Sequence, residues 1–241
     1  MIYTIGNQKL YVPESGPIRK IRTPRQVVPW RDVAETCRTL EAICSTIKKP
    51  PCTIVDGIAR AGFWGAVFRN RWPKCKLLLN ENDATCAPVL TANFPKSKIT
   101  SHDIKSWVPP KSDLSLLDFD HFTLRILPQW ESVVSTWASL ARYFIVADGA
   151  CFGFKFGTMK HYGIKTAEEY FYLLDAAMKK LTDKRITVVS MFLNASTILL
   201  EDKKPKRIKF LTPADLYMSR GTKVYNLRPT VKKTRLGLLG K

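Results

Sequence analysis

Residues 53–65 read TIVDGIARAGFWG, and this stretch decides the fold. Its first residues belong to a short apolar run, Cys52 to Asp56, that follows the breakers Pro50 and Pro51 and has the pattern of a buried strand. Gly57, Ala59, Ala61 and Gly62 keep the next turn small, which lets a ligand approach the backbone closely. Phe63, Val67 and Phe68 then continue as a helix that ends before Pro73, and its first amides lack intrahelical partners and can face polar ligand atoms. Close packing of that helix on the strand is the other reading of the same glycines. The loop matches neither the G-x-G-x-x-G of dinucleotide sites nor the G-K-[S/T] of a P-loop.

Outward from this unit, helices and short apolar strands alternate. Upstream, Val33, Cys37, Leu40, Cys44 and Ile47 recur at spacings of three and four, predicting a helix over 30–47. Downstream, strands are expected at 76–80, 98–100, 114–118 and 143–147, with helices at 85–93 and 130–142 between them. Thr166 with Glu169 three residues later starts a helix running to 181. The runs 185–193 and 196–200 read as a closing antiparallel hairpin. The alternation predicts an α/β fold with a mainly parallel, helix-covered sheet and function at its carboxyl edge. Three regions follow: a basic, proline-containing extension over 1–29, the α/β domain over 30–202, and a second basic extension over 203–241.

The strand at 76–80 leads into Glu81-Asn82-Asp83. A carboxylate at a strand end accepts both hydrogen bonds of a ribose diol, with Glu81 the main candidate and Asp83 the alternate. Capping the helix near Thr85 is their competing role. These segments resemble the class I S-adenosylmethionine-dependent methyltransferases, over about residues 30–200. Residues 56–65 are similar to that family's cofactor loop, and Glu81-Asn82-Asp83 to its ribose-binding segment. Ser101-His102-Asp103-Ile104 is similar to the segment whose acid recognises the adenine amino group, and the run LLDFDHF at 116–122 to the substrate-facing motif.

The resemblance implies a three-layer Rossmann-like methyltransferase fold with a seven-stranded sheet and a C-terminal antiparallel hairpin. It implies S-adenosylmethionine as cofactor, held by Asp56, Gly57, Ala59, Gly62, Glu81, Asp103 and Asp118. Asp120, His121 and Phe122 are its catalytic candidates. Asp120 would accept a hydrogen bond from an attacking amine, and Phe122 would stack on a base. His121 titrates in the range that suits acid–base chemistry. Core packing for Phe122 and a turn-capping role for Asp120 are the structural alternatives. Together with Asn93 these motifs resemble tRNA guanine methyltransferases and related RNA-modifying enzymes. The chain departs from the family where Ile58 and Arg60 replace glycines and where His121 stands in place of a proline.

The charge suggests the partner. Lysine and arginine number 39 against 20 acidic residues, a formal net charge of +19. Such an excess points to a polyanion, with nucleic acid preferred and RNA ahead of DNA. Arg19, Lys20, Arg22 and Arg25 in the first extension and Lys203, Lys204, Lys206 and Arg207 in the second are the phosphate-binding candidates. Lys155, set among Phe152, Phe154 and Phe156, adds charge beside stacking surfaces. A solvated basic face or an anionic membrane surface is the competing explanation. Six cysteines form no CxxC pair and there are three histidines, so free thiols and no structural metal are expected. No run is long and apolar enough to span a membrane, and the start MIYTIGNQKL lacks a secretory pattern, which gives the expectation of an intracellular protein. A different class of function fits the same residues: a non-catalytic, nucleic-acid-binding or scaffold subunit of a ribonucleoprotein or viral assembly.

Overall fold

The computed structural model describes residues 2–11, 30–119, 127–148, 167–192, 195–203 and 205–211. A hairpin of β1 (Ile2–Ile5) and β2 (Gln8–Tyr11) comes first, turning through Gly6 at φ 61°. After α1 (Trp30–Thr46) the chain alternates: β3 (Thr53–Asp56), α2 (Phe63–Arg71), β4 (Lys76–Asn80), α3 (Ala87–Asn93) and β5 (Lys98–Thr100). Then come β6 (Ser112–Phe119), α4 (Leu127–Ser139), β7 (Ala141–Asp148) and α5 (Ala167–Leu181). The strands β8 (Arg185–Phe192), β9 (Ala195–Glu201) and β10 (Lys209–Phe210) complete the order. One eight-stranded sheet results, in the order β10-β8-β9-β7-β6-β3-β4-β5. Its pairings are parallel except for the two made by β9, which runs antiparallel to both β7 and β8.

Period-two alternation along the strands sends side chains to two cores. Ile54, Leu77, Leu79, Leu114, Leu116 and Ile145 pack on one face with α1, α2 and α3. Val55, Leu78, Leu117, Phe144 and Val146 pack on the other with α4 and α5. Three layers follow directly from that pattern. Among the described residues no helix is long and apolar enough to cross a membrane. The described cysteines, including buried Cys37 and Cys44 on the stripe of α1, form no disulfide with one another, and burial pushes Cys37 up to about 12.

The expected seven strands and their closing antiparallel pair are present, and β10 adds an eighth strand from the start of the second basic segment. The helix expected over 130–142 stops at Ser139, because Ala141 already pairs with Ser112 in the sheet. Within the region 1–29, the hairpin sits on the domain: Ile5 and Leu10 are 1% and 0% exposed and join the core. The Asn93 side chain accepts the Tyr11 N–H at 2.8 Å and donates to the Tyr11 carbonyl at 3.0 Å. Asn70 accepts the Asn7 N–H at 3.1 Å, against the turn. Arg19, Lys20, Arg22, Arg25, Asp120, His121, Phe122, Lys155 and Lys204 lie outside the described residues.

Candidate functional site

The chain runs outward from β3 to β4 and β5, then returns to β6 on the other side of β3. This reversal opens a crevice at the carboxyl ends of β3 and β6, where ligands of open α/β sheets bind. Asp56 ends β3 there, fully buried at 0% exposure. Its Oδ1 accepts the Ile58 N–H at 3.3 Å, while Oδ2 has no hydrogen-bond partner among the described residues. Burial pushes the Asp56 carboxyl well above the usual range, the charges of Asp118 and Glu81 add to the rise, and the Ile58 N–H and Arg60 oppose it.

The turn from β3 to α2 is tied to both neighbouring strands. Gly57 N–H donates to the Leu116 carbonyl at 2.9 Å, and Ala59 N–H to the Asn80 carbonyl at 2.8 Å. Glu81 Oε2 accepts the Arg60 N–H at 2.8 Å and Oε1 accepts the Asp83 N–H at 3.2 Å. Arg60 is held at φ 50°, in the left-handed region that disfavours a side chain by roughly 1–2 kcal/mol. Asp118 near the end of β6 accepts the indole N–H of Trp64 at 2.7 Å, which links α2 to β6. Asp83 accepts the N–H of Thr85 at 2.8 Å, which closes a turn ahead of α3; the N-cap of that helix is Cys86, with no side-chain cap, so neither acid takes the capping role weighed above.

The glycines serve packing on their open sides. A Cβ on Gly57 would meet Leu117 and Trp137 at 2.6 Å, and one on Gly62, at φ 91°, would meet Phe94 at 2.3 Å. Ala59 and Ala61 are buried at 1% and 2% exposure. Asp103 is exposed beyond β5; its Oδ1 accepts the Lys105 N–H at 3.0 Å and its carbonyl the Trp107 N–H at 2.9 Å. His102 stacks on Trp107 with centroids 5.0 Å apart, and Trp107 meets Trp137 edge-on at 5.5 Å.

Asp56, Gly57, Ala59, Gly62, Glu81 and Asp118 are thus tied together at the carboxyl ends of β3, β4 and β6, with Asp103 at the end of the second strand beyond β3. Two residues here had no role in the sequence reading. Asn80, buried at 0% exposure, donates to the carbonyls of Gly57 at 3.1 Å and His102 at 2.9 Å. Its oxygen accepts Thr100 Oγ1 and the His102 N–H, each at 2.9 Å, so its amide joins the loop after β3 to the segment after β5. The other is Trp64. A polar residue closing the apolar run LLLN was the available signal for Asn80. Nothing local marked Trp64, whose partner is 54 residues away. Lys203, Lys206 and Arg207 lie between β9 and β10, on the opposite edge of the sheet.

Chemically, the crevice is a set of hydrogen-bond acceptors on a rigid sheet edge, suited to a ligand rich in hydroxyl and cationic donors. The strand order, with one antiparallel strand inserted beside the parallel set, is the fold of class I methyltransferases. The plantazolicin methyltransferase BpumL, solved with a pentazolic desmethylPZN analog and SAH, shares it at TM-score 0.55 and 11% identity, over 77% of this chain and 90% of that one. A candidate RNA methyltransferase, PH1948 from Pyrococcus horikoshii, shares it at TM-score 0.53 and 10% identity, over 82% and 93%. The mitomycin 7-O-methyltransferase MmcR matches at TM-score 0.50 and 14% identity, over 70% of this chain and 54% of its own length. No family model and no curated protein sequence matches the chain.

Proposed function

We propose that this chain is an intracellular methyltransferase that binds S-adenosylmethionine at the β3–β6 crevice and modifies nucleic acid, RNA before DNA. The observation that carries the cofactor reading is the gathering of Asp56, Glu81 and Asp118 at the reversal point of a sheet in methyltransferase order. The acceptor set fits the cofactor. Each Glu81 oxygen accepts one backbone N–H and keeps a lone pair for a ribose hydroxyl. The unpartnered Asp56 Oδ2 suits a cationic group, and Asp103 suits an adenine amine. Bound S-adenosylmethionine supplies a methyl group on an already activated sulfonium. The residues of the chain align that group with an acceptor and exclude competing geometries. Asp120, His121 and Phe122, which follow β6 directly in sequence, are the proposed acceptor-facing residues. The net charge of +19 supports a phosphate-rich substrate.

A second reading keeps the fold and drops the chemistry: a nucleic-acid-binding subunit of a ribonucleoprotein or viral assembly. Ile58 and Arg60, standing in the turn where the resemblance expects glycines, favour it. Calorimetric titration with S-adenosylmethionine separates the two. The methyltransferase reading expects one saturable site whose affinity falls about tenfold or more in Glu81→Ala, the loss of a charged hydrogen-bond acceptor. Folded protein that shows no binding would sink that reading and leave the second. Transfer of labelled methyl groups from the cofactor to RNA then tests the substrate.

A further inference from the structure

The parallel strands all start at one edge of the sheet, the edge opposite the crevice, and lysines collect there. A pair stands at the start of each of three neighbouring strands: Lys48 and Lys49 ahead of β3, Lys74 and Lys76 at β4, Lys96 and Lys98 at β5. Lys111 immediately precedes β6, and Lys203, Lys206 and Arg207 lie on the approach to β10. All ten of these side chains are exposed, and among the described residues none of them forms a salt bridge. Of the acids at this edge, Asp113 is engaged with Arg142 and the amides of Cys52 and Thr53, Asp202 with Lys184 and Glu201 with Thr187, while Asp183 is exposed ahead of β8. At the crevice the described groups have the opposite balance, with Asp56, Glu81, Asp83, Asp103 and Asp118 set against Arg60 and Lys105.

We propose that this amino-terminal edge of the sheet is a nucleic-acid docking face, separate from the crevice. Helix dipoles favour single cations near the C-termini of α1, α2 and α3, but they do not account for Lys111, Lys203, Lys206 or Arg207, which follow no helix end. Seven of the ten stand at the starts of the four adjacent strands β6-β3-β4-β5, a span of about 14 Å at ~4.8 Å spacing, and the other three approach β10 at the far end of the same edge. Unpaired lysines strung along such a line match a phosphate backbone and carry no base-reading geometry, so the face binds without sequence preference. A membrane-docking face would set apolar side chains among the cations. Of the exposed large apolar residues described, Tyr172, Leu173 and Phe210 lie on α5 and β10 at the side of the sheet and Tyr11 on the hairpin; Val108 alone stands on the approach to β6, three residues before Lys111. In this arrangement a long nucleic acid is gripped on one edge while another part of it, or a different molecule, enters the crevice on the other.

The inference rests on the nucleic-acid part of the proposed function and not on the cofactor. Fluorescence polarisation with a labelled oligouridylate, over a range of salt concentrations, tests it in the full chain. The variants are Lys48→Glu with Lys49→Glu, Lys74→Glu with Lys76→Glu, and Lys203→Glu with Lys206→Glu. Lys179→Glu with Lys180→Glu, on α5 rather than at a strand start, serves as the charge-matched control, and thermal melts check folding. Each edge double variant is expected to weaken binding about tenfold and to lower the salt slope by roughly 1–2, with the α5 pair unchanged. Tight oligouridylate binding that the edge variants leave intact, or that the α5 pair weakens as much, would overturn the docking face alone. No oligouridylate binding by the wild type would overturn it together with the nucleic-acid reading. Vesicles with about 30% phosphatidylserine are expected not to bind; capture by them in place of the oligonucleotide would assign the face to a membrane.

Discussion

Asp56 sits where burial and ligand recognition pull in opposite directions. Its folded carboxyl is raised above the unfolded value of about 3.9, so over the window above that pH the native state keeps a proton that the unfolded chain releases. Stability therefore falls as pH rises through this window, by at most about 1.4 kcal/mol per unit. Asp56→Asn cannot lose a proton. Without ligand it is expected to melt above wild type at pH 8, with the gap closing towards pH 4; a gap independent of pH would contradict the assignment. Asp113 works in the reverse sense. Burial alone would raise it, but the amides of Cys52 and Thr53, the Thr53 hydroxyl and Arg142 together hold it below its usual value. Its contribution is present above the unfolded pKa and is lost as pH falls through the folded one. Urea denaturation of Asp113→Asn should show a loss of about 1–3 kcal/mol at pH 7 that shrinks in acid. Asp56 and Glu81 were legible in the sequence because an acid closing an apolar strand is unusual in itself. Asn80 was not, since its four hydrogen bonds run to two segments, one after β3 and one at the end of β5, that only the sheet brings to it.

Among the elements, those with a clear period were legible and those defined by distant partners were not. The stripe of α1 and the apolar runs of β3, β4 and β7 place themselves, because each buries a face that its own spacing declares. The hairpin of β1 and β2 is too short to do so. Its stability comes from Ile5 and Leu10 in the core and from Asn93, 82 residues beyond Tyr11. For the same reason β10 escaped notice: two residues that pair with Val188 and Val189 carry no pattern of their own. Leu10→Ala should cost about 2–5 kcal/mol, read from the urea midpoint, if the hairpin is part of the cooperative fold. Asn93→Ala should cost less and act locally, because it removes only the clamp on Tyr11. Hydrogen exchange at the Tyr11 amide is expected to speed up while the amides of β3 keep their protection. Equal acceleration in both places would mean that Asn93 supports the whole domain. Asn93 also reaches the Ala61 carbonyl at 3.4 Å, which puts the hairpin one residue from the turn that faces the crevice.

For the whole molecule, net charge was legible from composition, but its distribution was not, because strand direction decides which lysines become neighbours. A formal +19 on 241 residues opposes compaction through self-repulsion, and the exposed lysines at the amino-terminal edge concentrate that repulsion. Salt should therefore act on this protein with two opposite signs. Raising sodium chloride from about 20 to about 300 mM shortens the screening length several-fold and is expected to raise the melting temperature of the free chain by a few degrees. The same change weakens nucleic-acid binding steeply, because counterions released from the phosphates are no longer scarce. The Lys48→Glu and Lys49→Glu pair separates the two effects: it should melt higher than wild type at low salt and lose most of that advantage at high salt. A melting temperature indifferent to salt in both proteins would mean that these charges are compensated within the fold. The basic edge could then no longer be regarded as a surface that a polyanion completes.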